Sequence, residues 1–223
     1  EPTYHLLIDN FSHMPRIVDA TSLRAALPFG VVERLITIVT DKARERMISD
    51  YGMTPNFVTA LMNHSREHLL LDTYLEGAEA DEIEDFVRAL NRDGLLTPTL
   101  VIRAHLMGEL TFVWQALARL AKVPATNISR LALTPGHAAA DQLYDRCRLP
   151  PEFKPLFLGV IELVHRYRYN GDRRERGPFR NRVHEWGAHQ LGVERPRIGF
   201  EQMISKLMIA AKAGAPLAQT QSA

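Results

Sequence analysis

The chain has 223 residues, enough to bury one large core or two small ones. Its 27 basic and 26 acidic side chains leave a net charge of +1, which excludes a polycation and an acidic tail, so any electrostatic specialisation is local. The single cysteine, Cys147, excludes an internal disulfide and favours a reducing compartment, read here as the cytoplasm. No apolar run approaches the roughly 18 residues that cross a bilayer, so no membrane partner is expected. The start Glu1-Pro2-Thr3-Tyr4-His5 is not a secretory signal. It lacks an initiator methionine, and the chain reads as a fragment or a processed form.

In chain order, Tyr4 to Phe11 predicts a short helix, and Ser22 to Leu27 a second, between Pro15 and Pro28. Val31, Val32, Leu35, Ile36 and Val39 then make a buried helical face. Thr40-Asp41 caps a helix over Lys42 to Tyr51, ended by Gly52. Thr54-Pro55 opens the next, with Phe57, Val58, Leu61, Met62, His68, Leu69 and Leu75 along one side and Gly77 at its end. Glu79 to Arg92 comes after it, with Ile83, Phe86, Val87 and Leu90 inward and Gly94 as its cap.

The stretch from Leu96 to Ala121 organises the rest. Thr97 is a good N-cap, and Pro98 sits at the first helical position, where its missing N–H costs nothing. Leu100, Val101, Ala104 and Met107 share a face. Gly108 suits a left-handed cap, and Leu110, Val113, Trp114, Leu117, Leu120 and Ala121 repeat at helical spacing beyond it. The pattern predicts two helices folded against each other at Gly108.

Pro124 to Leu133 and Pro135 to Cys147 predict two shorter helices. Pro150-Pro151 opens a long one, with Phe153, Leu156, Phe157, Val160, Ile161 and Val164 at core spacing. Asn170-Gly171 signals a turn, and Phe179 to Leu191 and Phe200 to Ala213 complete the set. No stretch alternates with a period of two, so the expectation is an all-α fold, an array of antiparallel helix hairpins. Thr54-Pro55, Thr97-Pro98 and Thr134-Pro135 recur at about 40 residues, the period of stacked helix pairs. A degenerate HEAT-like repeat is one reading; a common helix start used three times is the other. The expected division is residues 1–94, residues 95–213 and a polar tail over 214–223.

Three segments carry a resemblance. The first is Arg88-Ala89-Leu90 through Leu110-Thr111-Phe112, with Ala116 to Pro124. The second is Leu143-Tyr144-Asp145-Arg146-Cys147-Arg148-Leu149-Pro150, and the third is Gly171-Asp172-Arg173-Arg174-Glu175-Arg176. Together with Leu27-Pro28 and Val32-Glu33-Arg34-Leu35, they resemble the bacterial family called domain of unknown function 2336, over roughly residues 20 to 190. The resemblance implies an all-helical bacterial protein, mostly alphaproteobacterial. It carries no established activity, so no catalytic residue transfers.

Two constellations bear on chemistry. His64-Ser65-Arg66-Glu67-His68 puts two histidines one helical turn apart, able to share a zinc with Glu67 polarising a water. The third ligand would come from Asp141, Asp145 or Glu152, none in a ligand motif. The plainer reading packs His68 at the edge of an apolar stripe and leaves His64 in solvent, and no metal is expected. The second constellation is basic: Arg166, Arg168, Arg173, Arg174, Arg176, Arg180 and Arg182, interleaved with Tyr167, Tyr169 and Phe179. Arginines bind phosphate or carboxylate through paired donors, and the rings can stack on bases. The plainer reading is a solvated turn paired with Glu162, Asp172, Glu175 and Glu185.

Cys147 reads as a small buried residue, and Trp114 and Trp186 as core. There is no phosphate loop, serine elbow or cofactor fingerprint. The expectation is a non-catalytic helical scaffold or adaptor that needs no cofactor. It would bind another protein, an acidic one suiting the arginines, with self-association open. Nucleic-acid binding through 166–182 is the alternative, and a zinc hydrolase the third reading.

Overall fold

A computed structural model describes residues 41–50, 52–75, 78–134, 136–193 and 199–214. The side chains of Asn56, Phe57, Ala60, Leu61, His64, Thr73 and His137 are excepted. The helices expected before residue 41, the inward positions Phe57 and Leu61, and the tail after Gly214 lie outside the described residues. All regular structure among the described residues is helical, and no helix there is long and apolar enough to cross a membrane.

The chain forms two compact units, Glu1–Gly77 and Ala78–Ala223. The boundary therefore falls between Gly77 and Ala78, not at the expected residue 94. In the first unit a helical run over 41–49 precedes α1, Pro55–Leu75. Val58, Leu70, Leu71 and Leu75 are buried, but Leu69 is 45 % exposed, against expectation. Successive residues are about 100° apart around a helix, so a face centred on Leu70 and Leu71 turns Leu69 outward.

The second unit opens with α2, Ala80–Arg92. The backbone N–H of Glu79 donates to Glu82 Oε2 at 2.7 Å, half of a capping box. Ile83, Phe86, Val87 and Leu90 are all buried, as their spacing predicts. In α3, Pro98–Leu106, Thr97 Oγ1 accepts from the Leu100 N–H at 3.1 Å. Gly108 has φ +78°. Its N–H donates to His105 O at 3.1 Å and that of Glu109 to Ala104 O at 2.9 Å, the double closure of a Schellman end. Helix α4, Leu110–Ala121, starts two residues later.

The remaining helices are α5 (Ala125–Ala132), α6 (His137–Arg146), a 3-10 turn over Pro151–Phe153, α7 (Lys154–Tyr167), α8 (Arg173–Gln190) and α9 (Phe200–Lys212). The third Thr-Pro pair does not open α6. Thr134 Oγ1 donates to Arg130 O at 2.8 Å behind α5, and Gly136 is the N-cap of α6. Helix α8 starts six residues before the expected Phe179, because Asp172 caps it and Pro178 is carried inside it.

From α3 onward each helix packs on the next, giving an array. Other contacts reach further: the 3-10 turn packs on α9, α4 touches α6, and two more position the site. Helix α2 skips α3 to pack on α4, with Phe86 and Phe112 ring centroids 5.8 Å apart, and this binds α2 to the second unit. Helix α3 docks on α7, and every residue from Leu100 to Leu106 is buried. His105 is wholly buried, and its ring stacks on Phe157 at 4.7 Å. Its Nε2 lies 3.1 Å from Phe157 O. A carbonyl can only accept, so Nε2 carries the hydrogen. Burial lowers the imidazole pKa to about 4, against a smaller upward pull from that carbonyl.

Two glycines allow close helix approach. A Cβ on Gly159 would lie 2.3 Å from Trp186 Cζ2, and one on Gly187 would lie 2.2 Å from Met203 Sδ. Gly187→Ala is therefore expected to cost about 1–3 kcal/mol by overpacking, read as a lower urea midpoint. A second expectation concerns acid. An unfolded histidine protonates near 6.5, whereas folded His105 stays neutral down to about 4. The unfolded chain binds the extra proton between those values, so stability is full above the window and falls as pH drops through it, by about 3 kcal/mol in total. Urea midpoints from pH 7 to pH 4 should show this limb, and His105→Leu should flatten it.

Candidate functional site

The arginine segment folds around the end of α3. Helix α7 closes at Arg168, whose φ of 52° is left-handed. The Arg168 N–H donates to His165 O at 3.2 Å and that of Tyr169 to Val164 O at 3.0 Å. This closure usually carries glycine, so an arginine there is strained. The chain then turns: the Asp172 N–H donates to Asn170 Oδ1 at 2.8 Å, and Asp172 Oδ1 accepts from the Arg174 N–H at 2.9 Å. That cap starts α8.

Tyr169 is buried and its hydroxyl donates to Gly108 O at 2.8 Å. Its ring stacks on Phe179 with centroids 4.1 Å apart. A Cβ on Gly108 would meet Phe179 Cδ1 at 2.9 Å, so glycine is required there for space as well as for φ. Beside this stack lies Glu109, 5 % exposed. Its two oxygens receive Arg176 and Arg180, each at 3.0 Å. Arg180 Nε also donates to Met107 O at 2.9 Å. Burial pushes the Glu109 carboxyl pKa up, and the charges of Arg176, Arg180 and Arg173 pull it back in part. Burial likewise raises that of the Tyr169 phenol.

The seven arginines thus separate. Arg176 and Arg180 are structural. Arg166 pairs with Glu162 at 2.7 Å on the same helix. Arg182 pairs with Glu185 at 3.3 Å and lies over the half-exposed Tyr167 ring at 5.1 Å. Arg168 and Arg174 are exposed and their side chains make no ion pair among the described residues, while Arg173, also exposed, acts on Glu109 only through its charge. The outward surface is therefore Arg168, Arg173 and Arg174 beside Tyr167 and Arg182. Tyr169, expected to face a ligand, is the inner pillar that holds this corner. Glu109 carries no motif and was missed by sequence reasoning.

A family model described as an uncharacterised protein conserved in bacteria, DUF2336, matches residues 1–188. The chain belongs to the DUF2336 family. No curated protein and no solved structure matches it. The DUF2336 match takes in the whole arginine corner and stops before α9.

The other candidate groups of this DUF2336 chain are carried by other elements. His68 Nδ1 is 3.2 Å from Asp72 Oδ2, one turn along α1, and Glu67 is buried on the same helix. The His64 side chain lies outside the described ones. Asp141 and Asp145 are both held by Lys154 Nζ, at 2.8 and 2.9 Å. Among the described residues no three metal-ligating side chains gather. The buried Cys147 thiol donates to Leu117 O at 3.7 Å, and burial pushes its pKa up to about 11, far from a reactive thiolate. Trp114 is half-buried near His105, and Trp186 covers Gly159.

Glu109→Ala is expected to destabilise by about 2–4 kcal/mol, because it strands two partly buried guanidinium groups. Glu109→Gln keeps the shape and some hydrogen bonding and should cost less. Chemical denaturation of both variants checks the order.

Proposed function

We propose that this chain is a non-catalytic, cytoplasmic helical scaffold that binds an acidic protein partner through the arginine corner. One observation carries the reading: Arg168, Arg173 and Arg174 are exposed together and make no side-chain ion pair among the described residues. Arg168 adopts a left-handed conformation that disfavours a side chain. Arg173 and Arg174 occupy the first turn of α8, where the helix dipole is already positive. Glu109 and Tyr169 fix the corner, so a partner meets a preorganised surface. Tyrosine and arginine are the side chains enriched where proteins bind one another.

The surface signs favour protein over nucleic acid. Asp172 and Glu175 are exposed among the arginines. A continuous line of phosphates would meet repulsion there, whereas a folded partner can place single carboxylates between them. An array of packed helices suits this role. A HEAT-like origin of the array draws support from its neighbour-on-neighbour packing, but not from the third Thr-Pro pair.

The test is a titration of the full chain with a glutamate-rich peptide containing one aromatic residue, beside mixed-sequence DNA and RNA, across several salt concentrations. The peptide should bind, and Arg168→Ala, Arg173→Ala and Arg174→Ala together should weaken it at least tenfold. Nucleic acid should bind at roughly micromolar affinity or more weakly at physiological salt. Tight nucleic-acid binding lost in the same triple variant would replace this reading with the nucleic-acid one. Arg168→Gly separates the two roles of that residue: it should gain about 0.5–1 kcal/mol of stability and lose affinity.

A further inference from the structure

We infer that Asn170 is a self-modifying site: its side-chain amide is lost by attack of the Gly171 backbone nitrogen, which adds a carboxylate to the arginine corner. The chemistry is independent of what the corner binds. Its effect on binding rests on reading the corner as the site for an acidic partner.

Asn170 is one of seven asparagines and the only one followed by glycine. The others precede phenylalanine, histidine, isoleucine or arginine, whose side chains crowd the nitrogen that would attack. The backbone requires glycine at 171, where φ is +91°. The turn therefore pairs, for a structural reason, the side chain and the neighbour that this reaction needs.

Three features of the turn prepare the step. The Gly171 N–H makes no hydrogen bond among the described residues, which leaves the nucleophile available. Asn170 Oδ1 accepts from the Asp172 N–H at 2.8 Å. That bond draws charge from Cγ and stabilises the oxygen as it becomes an oxyanion. The ring it closes includes both Cγ and the Gly171 nitrogen, so the two share one turn. Asn170 is exposed and its Nδ2 makes no hydrogen bond among the described residues, so water can reach the leaving group. The turn is anchored on both sides, by the Tyr169 hydroxyl on Gly108 O and by the Asp172 cap of α8, and keeps this arrangement in the folded chain.

The step balances with water alone. The Gly171 nitrogen gives up its proton and bonds to Cγ. The Cγ–Nδ2 bond breaks, and ammonia leaves with that proton. Water then opens the cyclic imide. Opening at Cγ gives aspartate, and opening at the main-chain carbonyl gives isoaspartate, whose backbone runs through Cβ and Cγ. Either product carries a carboxylate two residues after Arg168 and three before Arg173. This carboxylate competes with an acidic partner for the guanidinium groups. Isoaspartate also lengthens the backbone between Tyr169 and Asp172, the two anchors of the turn.

The full chain, aged for days in neutral to mildly alkaline heavy-oxygen water and mapped by peptide mass, tests the inference. Folded chain should take up label at residue 170 at least tenfold faster than at any other asparagine, as aspartate and isoaspartate. The rate should rise with pH, because the nitrogen attacks after losing its proton. Chain denatured in guanidinium sets the reference, and the folded rate should lie within tenfold of it. An Asn170 that stays intact in the folded chain while the denatured chain is modified would overturn the inference, as would equal labelling of the other asparagines. The aged chain and Asn170→Asp should each bind the glutamate-rich peptide at least threefold more weakly than fresh chain. Equal binding by fresh and modified chain overturns the effect on the corner. Label at residue 170 with no peptide binding by fresh chain leaves the modification standing and overturns the scaffold reading.

Discussion

The second unit depends on one constraint: α3 is buried on every side. A helix in that position needs neighbours all round it and an internal answer for each polar group it carries. His105 answers by staying neutral and donating to a carbonyl of α7. Arg103, 1 % exposed, has its guanidinium 3.8 Å from Glu201 of α9. The end of α3 imposes a further demand, since its last carbonyls have no partner within the helix. Ala104 and His105 are satisfied by the Gly108 closure. Met107 and Gly108 receive Arg180 and Tyr169. The arginine corner is thus built on the backbone needs of a buried helix end.

Local signals in the sequence were legible where the structure is decided locally. The four inward residues of α2, the Thr97-Pro98 start and the Gly108 break all come from helix period and capping chemistry. The start of α8 did not, because Arg-Arg-Glu-Arg-Gly-Pro reads as a loop until Asp172 is known to cap it. The unit boundary was misplaced for a related reason. Gly94 is a real helix end, but the aromatic contact between Phe86 and Phe112 keeps α2 with the helices C-terminal to it. In the site, composition picked out the arginines, and only tertiary contacts sort them. Arg176 and Arg180 look like Arg173 and Arg174 in sequence. Glu109, more than sixty residues upstream, is what tells them apart.

The sorting also separates stability from recognition along one short stretch. Arg176 and Arg180, turned toward Glu109, hold the corner in place, and the exposed Arg168 and Arg174 make no ion pair among the described residues. Alternation of this kind lets the outward set change while the frame persists. One carboxylate that answers these arginines, Glu109, lies buried beneath the surface rather than spread over it.

The meeting of Gly187 and Met203 ties the end of α8 to the helix that follows it. The family match ends at residue 188, one position past the glycine, and the methionine that fills the space above it belongs to α9, beyond the match. Without α9 this chain would expose a bare notch at Gly187 beside Val183 and Ala188, which are buried with it in place. In this chain Gly187 and α9 are therefore coupled: with the helix in place there is no room for a Cβ, so the position and the C-terminal helix can change only together.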